Sequence, residues 1–301
     1  MRTPQPIPYQ GSKRALAPFI LNYFPKGLGR LIEPFAGSAA VSIAAAMRNK
    51  AKKFIINDIN ESLIDLLKII INEPVQISAA YEKLWNEQLG NEKEFFLATR
   101  ERFNKEKRSD DFLYVLARCI KGAVRYNANG EFNQSADNRR KGKNPSNMKQ
   151  EIFALSNYLI DKTEFYSIDY SEIFAMANEE DLIYMDPPYQ GTCKSRDQRY
   201  YSGILFDQFV SNLELLNQRN ISYLISYDGK TGDKTYGEDL PNHLNLKKIM
   251  IEVGRSTQST LLGQSDITFE ALYLSDSLVQ RIGHDVLPEN VSLKPRQLEL
   301  I

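Results

Sequence analysis

The stretch Leu182-Ile183-Tyr184-Met185-Asp186-Pro187-Pro188-Tyr189 decides the fold of this 301-residue chain. Its first four residues are an apolar run, which predicts a strand buried on both faces, as in a parallel sheet. Asp186 follows at the carboxyl end of that strand, where α/β proteins bind ligands. Pro187 and Pro188 exclude a helix and donate no backbone N–H, so the loop is stiff. The segment predicts an acidic site at the edge of a parallel sheet, although a rigid loop with a capping Asp is the alternative.

Two strand–helix units near the start of the chain support this interpretation. Residues 31–35 are a short apolar run that ends at a Gly turn, and the alanine-rich residues 39–47 predict a helix. Residues 54–58 predict a second buried strand. The helix that follows is expected at 60–71, with Asn60 as its N-cap and apolar residues at helical spacing. Strands and helices in alternation predict a parallel sheet.

The same alternation returns in the second half of the chain. We expect strands at 165–168, 182–185 and 221–225 and a helix at 205–216. Two later runs, 246–253 and 267–274, have no helix between them and predict a terminal antiparallel hairpin. The fold class is therefore α/β, with an antiparallel end to the sheet.

Residues 74–158 have helical periodicity and more charge, but no alternation of strands with helices. We therefore expect two domains, one built from residues 1–73 and 159–301 and a smaller, mostly helical one at 74–158. Within the smaller domain, Asn129-Gly130 lies between short extended pieces and predicts a β-hairpin. An exposed basic loop follows at 135–149.

The composition excludes several classes of protein. Lys and Arg together number 38, as do Asp and Glu, so the net charge is zero and binding to nucleic acid through bulk charge alone is excluded. Two Cys and two His cannot build a disulfide scaffold or a Cys-rich zinc site, so we expect no metal. The sequence has no apolar run long enough to span a membrane, and because no apolar run follows residues 1–6 we expect no signal peptide. We therefore expect a cytoplasmic protein with no membrane partner.

A glycine turn and a carboxylate indicate the kind of ligand. Glu33-Pro34-Phe35-Ala36-Gly37-Ser38 is a strand-to-helix turn in which Gly lets a ligand approach the backbone. Asp58 ends the next strand about 20 residues later, the position that holds ribose hydroxyls in dinucleotide sites. Because the full Gly-x-Gly-x-x-Gly motif is missing, a pyrophosphate is not expected there. An adenosyl group without phosphates fits better.

Together these motifs resemble the Dam-like (class alpha) family of DNA adenine-N6 methyltransferases, over residues 9–274 and so nearly the whole chain. Tyr9-Gln10-Gly11-Ser12-Lys13 is similar to the family's N-terminal cofactor motif, and Asp186-Pro187-Pro188-Tyr189 is similar to its catalytic tetrapeptide. Residues 125–133, with the pattern Arg-Tyr-Asn-x-x-Gly-x-Phe-Asn, are similar to the hairpin of its DNA-recognition domain.

The resemblance implies a Rossmann-like class I S-adenosylmethionine-dependent methyltransferase sheet and the methylation of adenine N6 in double-stranded DNA, with the target base flipped out of the duplex. The implied catalytic residues are Asp186, Pro187 and Tyr189, and the implied cofactor contacts are Tyr9, Lys13, Glu33, Phe35, Gly37, Asp58 and Asp186. We expect DNA contacts from Arg125, Asn127 and Asn133 of the hairpin and from Arg139, Arg140, Lys141 and Lys143 of the basic loop.

The resemblance leaves alternatives open. Ala39 stands where the family often has a second Gly, and Tyr9 where Trp is frequent, but neither departure indicates an inactive enzyme. Cytosine-N4 methylation uses a related tetrapeptide, usually with Ser in place of Asp, so Asp186 favours adenine. A DNA-binding module with a vestigial cofactor pocket is the non-enzymatic alternative, and a solvated surface is the alternative for the basic loop. The resemblance further implies a restriction–modification system with a companion restriction endonuclease, or an orphan enzyme.

Overall fold

The computed structural model describes residues 2–188, 205–231, 234–235, 239–255, 267–283 and 290–292. Its strands are β1 (Arg30–Glu33), β2 (Lys53–Asn57), β3 (Thr163–Tyr166), β4 (Leu182–Met185), β5 (Ser222–Thr231), β6 (Lys234–Thr235), β7 (Lys247–Arg255), β8 (Ile267–Leu274) and β9 (Asn290–Ser292). Its helices are α1 (Ala17–Ile20), α2 (Ala40–Met47), α3 (Glu61–Asn72), α4 (Pro74–Glu87), α5 (Glu92–Glu106), α6 (Ser109–Arg118), α7 (Pro145–Leu159), α8 (Tyr170–Ala175), α9 (Phe206–Gln218) and α10 (Asp276–Ile282). Short 3-10 turns lie at Lys13–Ala15, Leu21–Tyr23, Ile120–Gly122 and Asn242–Leu244.

The strands of the described residues join one sheet, in the order β3-β2-β1-β4-β5-β8-β7-β9, with β6 paired to β5 beside this path. The five strands from β3 to β5 are parallel. β8 is antiparallel to both β5 and β7, and β9 pairs with β7 in parallel. The predicted α/β fold, with a parallel sheet and a terminal antiparallel hairpin, is therefore confirmed.

Both faces of the sheet are buried. Because side chains alternate along each strand, successive residues of one strand enter different clusters. In β1, Leu31 belongs to the buried cluster on the side of α2 and α3, whereas Ile32 belongs to the cluster on the side of α8 and α9. This explains why β4 is apolar at every position. In the part of the chain that the structure describes, no helix combines the length and the apolar character needed to cross a membrane.

Local sequence signals place the helices near the predicted site. The Asn60 side chain accepts a hydrogen bond from the Leu63 backbone N–H (3.3 Å) and so caps α3, as predicted. Pro145 is the first residue of α7, where its fixed φ suits the first turn. The Asn144 side chain caps that helix by accepting from the Ser146 backbone N–H (2.9 Å).

Residues 74–158 contain α4 to α6 and nearly all of α7, as their helical periodicity predicts. Apolar side chains of this segment, such as Tyr81, Phe103 and Leu155, belong to the same buried cluster as Leu31 of β1. Helix α7 packs against both α2 and α3. The segment therefore shares the core of the sheet's helical layer, and its separation as a recognition domain stays a prediction.

The predicted β-hairpin is present in a reduced form. The chain reverses at Asn129-Gly130 as predicted, and the two sides meet in an isolated antiparallel bridge between Tyr126 and Phe132. The side-chain oxygen of Asn127 accepts hydrogen bonds from the backbone N–H groups of Asn129 and Glu131 (both 3.0 Å). This side chain adds to the backbone hydrogen bonds of the turn, such as the one from the Asn127 N–H to the Glu131 carbonyl oxygen (2.9 Å). Residues 74–158, all of which are described, contain no regular strand.

Candidate active site

A cavity of about 510 Å³ lies at the carboxyl ends of β1, β2 and β4, where the sequence predicts the site. Its lining includes the predicted residues Tyr9, Lys13, Glu33, Phe35, Gly37, Asp58, Asp186 and Pro187. The parallel strands bring most of these residues together because their carboxyl ends share one edge of the sheet, whereas Tyr9 and Lys13 come from the segment before β1. A cavity of this size suits a small organic ligand. Tyr189, the remaining predicted catalytic residue, lies outside the described residues.

The turn between β1 and α2 comes close to the cavity at Gly37. This residue has φ +52°, a left-handed conformation that favours Gly, and a Cβ there would lie 3.1 Å from Cε1 of Tyr9. The Tyr9 ring therefore packs directly on the turn. The hydroxyls of Ser12 and Ser38 join the same two segments through a hydrogen bond (3.2 Å). The N-terminal motif and the glycine turn thus form one wall of the cavity.

Asp58 follows β2 directly, and two backbone N–H groups hold its carboxylate. The Gly37 N–H donates to Oδ2 (2.9 Å) and the Asn60 N–H donates to Oδ1 (3.0 Å). Burial raises the pKa of Asp58 above its ordinary value, and the two N–H donors oppose that rise. Each carboxylate oxygen can accept a second hydrogen bond. Asp58 can therefore also bind hydroxyl groups of a ligand in the cavity.

Glu33, the last residue of β1, lines the cavity and also caps α2. Its Oε2 accepts a hydrogen bond from the backbone N–H of Ser42 (2.8 Å), in the first turn of that helix. Ala39 occupies the N-cap position at φ +54° and has no side-chain oxygen for this purpose. Burial raises the pKa of Glu33 to about 7, and the nearby Asp186 carboxylate adds to the rise. This capping role could not be predicted from the sequence, because the capping side chain comes from a different element, the end of β1.

Asp186 comes directly after β4, and its Oδ1 lies 3.3 Å from the ammonium nitrogen of Lys13. Burial is the main cause that raises the pKa of Asp186 to about 6, while Lys13 lowers it and Glu270 raises it. The ammonium nitrogen of Lys13 also lies 3.0 Å from Oε2 of Glu270. One buried cation, only 7% exposed, thus lies between two carboxylates in the wall of the cavity.

A buried amide that the sequence analysis did not single out joins the loops around the cavity. The Asn57 side chain donates hydrogen bonds to the carbonyl oxygens of Pro34 (2.9 Å) and Ile168 (3.1 Å) and accepts one from the Ile168 backbone N–H (3.0 Å). It therefore links the loop after β1 to the loop after β3. The available signal was a polar residue at the end of an otherwise apolar strand, directly before Asp58.

Aromatic side chains form the wall of the cavity towards α8 and α9. Phe35 is half-buried, and its ring centroid lies 5.2 Å from that of Tyr170 and 6.3 Å from that of Phe209. Phe35 and Tyr170 both line the cavity. Because aromatic faces attract cations, this wall suits a ligand that carries a positive charge.

The helical segment 74–158 reaches the cavity through Val124 and Tyr126. The Asn60 side-chain amide donates a hydrogen bond to the Tyr126 hydroxyl (3.1 Å). The Gln10 backbone N–H donates to the carbonyl oxygen of Gly122 (3.0 Å). The predicted recognition segment is therefore attached directly to both the predicted cofactor motif and the start of α3.

Comparison with known proteins identifies the family to which this geometry belongs. The sequence profile of the D12 class N6 adenine-specific DNA methyltransferases matches residues 9–281. The chain belongs to this family. The predicted resemblance to DNA adenine-N6 methyltransferases is thus confirmed.

The relatives of this D12-class chain described here are named methyltransferases or methylases. The DNA N-6-adenine-methyltransferase of Escherichia phage P1 is 31% identical over 73% of this chain and 29% of the phage protein. The DNA adenine methylase of Vibrio cholerae is 29% identical over 73% of this chain and 79% of its own length. The type II methyltransferase M.MjaIII of Methanocaldococcus jannaschii is 27% identical over 65% of this chain and 72% of its own length. The chain therefore spans less than a third of the phage relative but most of the other two.

The predicted phosphate-contacting arginines of this family member lie on its surface. The Arg139 and Arg140 side chains are 84% and 80% exposed, and both lie near Asp137, at 3.4 and 3.9 Å. Lys141 is also exposed and its ammonium nitrogen lies 2.7 Å from Oε1 of Glu92. These three side chains are accessible to a large polyanion, and their contact with DNA stays a prediction.

Lys143 is placed differently, although it belongs to the same basic loop. Its ammonium donates a hydrogen bond to the carbonyl oxygen of Gln5 and lies 3.6 Å from Oε1 of Glu151. Burial is the main cause that lowers the pKa of Lys143 below its ordinary value. This lysine joins the basic loop to the N-terminal segment and to α7.

The three hairpin residues predicted to contact DNA also take part in the local structure. The side-chain amide of Asn127 donates to Oε2 of Glu131 (2.8 Å), in addition to the turn contacts described above. The Asn133 backbone N–H donates to the carbonyl oxygen of Arg125 (3.1 Å), and the Arg125 side chain is half-buried. Their roles in reading bases stay predictions.

The described residues offer little for a metal site or for a reactive thiol. Within the described ranges, no cluster of three or more His, Cys, Asp and Glu side chains could hold a metal ion. Cys119 is buried, and burial raises the pKa of its thiol to about 12. This thiol is therefore protonated and unreactive at neutral pH.

Proposed function

We propose that this protein methylates N6 of adenine in double-stranded DNA at a specific sequence, with S-adenosylmethionine as the methyl donor. The observation that carries the proposal is the largely buried Asp186 carboxylate, which follows β4 and lines the cavity. Membership of the D12 class supports the type of reaction.

The cavity suits a ligand that carries positive charge and no phosphate. The Gly37 N–H comes from the turn that binds phosphate in dinucleotide sites, but here it donates to the Asp58 carboxylate. A carboxylate at this place would repel a pyrophosphate. The acids Glu33 and Asp186 and the ring of Phe35 suit the sulfonium and ammonium groups of S-adenosylmethionine. The donor's ribose hydroxyls would bind to Asp58.

Asp186 would act on the amino group that receives the methyl. The bound donor supplies an activated methyl group, but the exocyclic nitrogen of adenine is a weak nucleophile because its lone pair is delocalised into the ring. Asp186 and the carbonyl oxygen of Pro187 would accept the two amino hydrogens and so localise the lone pair on nitrogen. Methylation leaves an extra proton on that nitrogen, and the Asp186 carboxylate would accept it.

The target base must leave the duplex, because an adenine stacked inside DNA cannot reach a cavity of this kind. Through the family resemblance, Tyr189 would stack on the flipped base. Arg139 and Arg140 would contact phosphates, since a chain with zero net charge must bind DNA through a few local cations. The protein would act beside a companion restriction endonuclease, a role supported by its similarity to a type II methyltransferase.

The proposal is tested by incubating the protein with unmethylated duplex DNA and labelled S-adenosylmethionine, and then digesting the DNA to nucleosides. We expect the label in N6-methyladenine. Label in N4-methylcytosine would support the cytosine-N4 alternative, and no transfer to DNA would support a non-catalytic DNA-binding module. Sequencing of the methylated positions then gives the recognition sequence, and protection of that sequence from a restriction endonuclease tests the role in restriction and modification.

A further inference from the structure

Glu270 is a carboxylate that shares its face of strand β8 with two buried leucines. It lies on β8, and Leu272 and Leu274, which share its face because side chains alternate, are fully buried in the core. A charged group in line with such residues costs free energy unless it is paired. The Glu270 side chain is 22% exposed, lines the cavity and contacts Lys13. Neither the family motifs in the sequence nor the proposed mechanism assigns it a role.

The sheet is irregular on both sides of Glu270. On β5 the register shifts between Ser226 and Gly229, and Gly229 is the cross-strand partner of Glu270. On β7 the register shifts between Glu252 and Gly254. Such bulges bend a strand and change the direction of nearby side chains, and they are frequent next to active sites. They occur here where the sheet turns from parallel to antiparallel, beside the cavity.

Lys13 lies between Glu270 and Asp186 and is slightly closer to Glu270. The ammonium nitrogen is 3.0 Å from Oε2 of Glu270 and 3.3 Å from Oδ1 of Asp186. A lysine has a flexible stem and a compact charge, so its position depends on its partners. Without Glu270, the ammonium would move onto Asp186 and occupy oxygen lone pairs that the reaction needs.

We propose that Glu270 is a positioning residue for methyl transfer, which holds the Lys13 ammonium away from full contact with Asp186. Asp186 then keeps enough acceptor strength for the amino group of the target base. This inference rests on the proposed function. The charged and titratable groups that face Asp186 in the described residues are Lys13, Glu270, Glu33 and Tyr184.

The test compares Glu270→Gln with wild type in single-turnover methyl transfer across pH. Without the Glu270 charge, the Lys13 ammonium pairs with Asp186 alone. We therefore expect the rate at pH 8 to fall about tenfold, while the affinity for S-adenosylmethionine stays nearly constant. The pH at which the rate is half-maximal should move down by about one unit, because a nearby negative charge is lost. Lys13→Met should move it in the opposite direction.

Glu252→Gln is the matched control, because Glu252 lies on the neighbouring strand β7 and does not line the cavity. We expect it to behave like wild type. Glu270→Asp, which keeps the charge but withdraws it from Lys13, should lie between wild type and Glu270→Gln in rate, and it carries the test if Glu270→Gln does not fold. Thermal unfolding of each variant reports on folding.

Two outcomes would overturn the proposal. If the half-maximal pH of Glu270→Gln equals that of wild type or moves up, Glu270 has a structural role alone. If Glu270→Asp is as slow as Glu270→Gln, or as fast as wild type, the distance to Lys13 does not matter. Failure of the proposed function itself would look different, because wild type would then transfer no methyl group to adenine.

Discussion

The carboxyl edge of the parallel strands, with Glu33, Asp58 and Asp186, carries charge in a different way from the basic loop, which ends at residue 144 and not at the predicted 149 because α7 begins at Pro145. At the edge, the carboxylates are held by backbone N–H groups or by a buried ammonium. In the loop, Arg139 is almost entirely exposed. Groups at the edge are therefore pre-positioned for one chemical step, whereas the loop offers long side chains that can adapt to a flexible polyanion. Substitutions at the edge should be costly and specific, and those in the loop mild and dependent on salt.

The largest effect is expected for Asp186→Ala, which removes the acceptor for the reacting amino group. We expect the single-turnover rate of methyl transfer to fall by about 10³-fold or more. The stability of the folded protein should not decrease. The pKa of Asp186 is raised to about 6, so the folded protein binds this proton more tightly than the unfolded chain does, and the ionised group lowers stability as pH rises from about 4 to about 6. At pH 8 the variant should therefore unfold at the wild-type temperature or above, and near wild-type turnover would contradict the mechanism.

A smaller effect at the same edge is expected for Asp58→Asn. The amide has one acceptor oxygen in place of two and carries no charge, so its NH2 group would face one of the two backbone N–H donors that hold Asp58, and its hydrogen bonds to ribose hydroxyls would lose their charge. We expect the affinity for S-adenosylmethionine, measured by calorimetry, to fall about tenfold or more. Asp65→Asn, on the exposed side of α3, is the control and should bind normally. An unchanged affinity for Asp58→Asn would remove this residue from the site.

Substitutions in the basic loop should affect DNA binding mildly and in a way that depends on salt, unlike those at the edge. The double change Arg139→Gln with Arg140→Gln should weaken binding to cognate and scrambled duplexes alike and reduce the slope of log affinity against log salt by about two. Fluorescence anisotropy at several salt concentrations measures this slope. Lys143→Gln is the comparison from the same loop, and it should change the slope by less than one because that ammonium already contacts Gln5 and Glu151. If the double change leaves the slope unaltered, the loop is a solvated surface.

The smallest effect is a gain of stability at the edge. Ala39 is buried at φ +54°, a conformation that costs an L-residue about 1 kcal/mol and costs Gly almost nothing. Ala39→Gly should therefore raise the free energy of unfolding by about 1 kcal/mol at most. The gain is limited because Gly also increases the conformational entropy of the unfolded chain, which favours unfolding. Ala45→Gly, in the interior of α2, should lower it by a similar amount. Thermal or denaturant unfolding measures both, and a loss of stability for Ala39→Gly would show that the turn depends on the Ala methyl group.

The sequence by itself determined the elements that build the cavity. Apolar runs, the Asn60 cap and the glycine turn are signals between residues close in the chain, and the strands and helices around the site lie near their predicted positions. Strand–helix alternation also predicts that the strands are parallel. The carboxyl ends of parallel strands share one edge, so Gly37, Asp58 and Asp186 could be placed together before any coordinates.

Only the tertiary structure decided which charged groups meet. Lys13 and Glu270 lie near opposite ends of the chain, and nothing local shows that one ammonium contacts both Glu270 and Asp186. Lys143 resembles its neighbours in the basic loop, yet it is turned towards Gln5. The shared core of segment 74–158 was equally hidden, because helical periodicity shows which face is apolar but not what covers it. The free energy of a buried charge depends on its partners, and those partners come from distant parts of the chain that only the fold brings within hydrogen-bond distance.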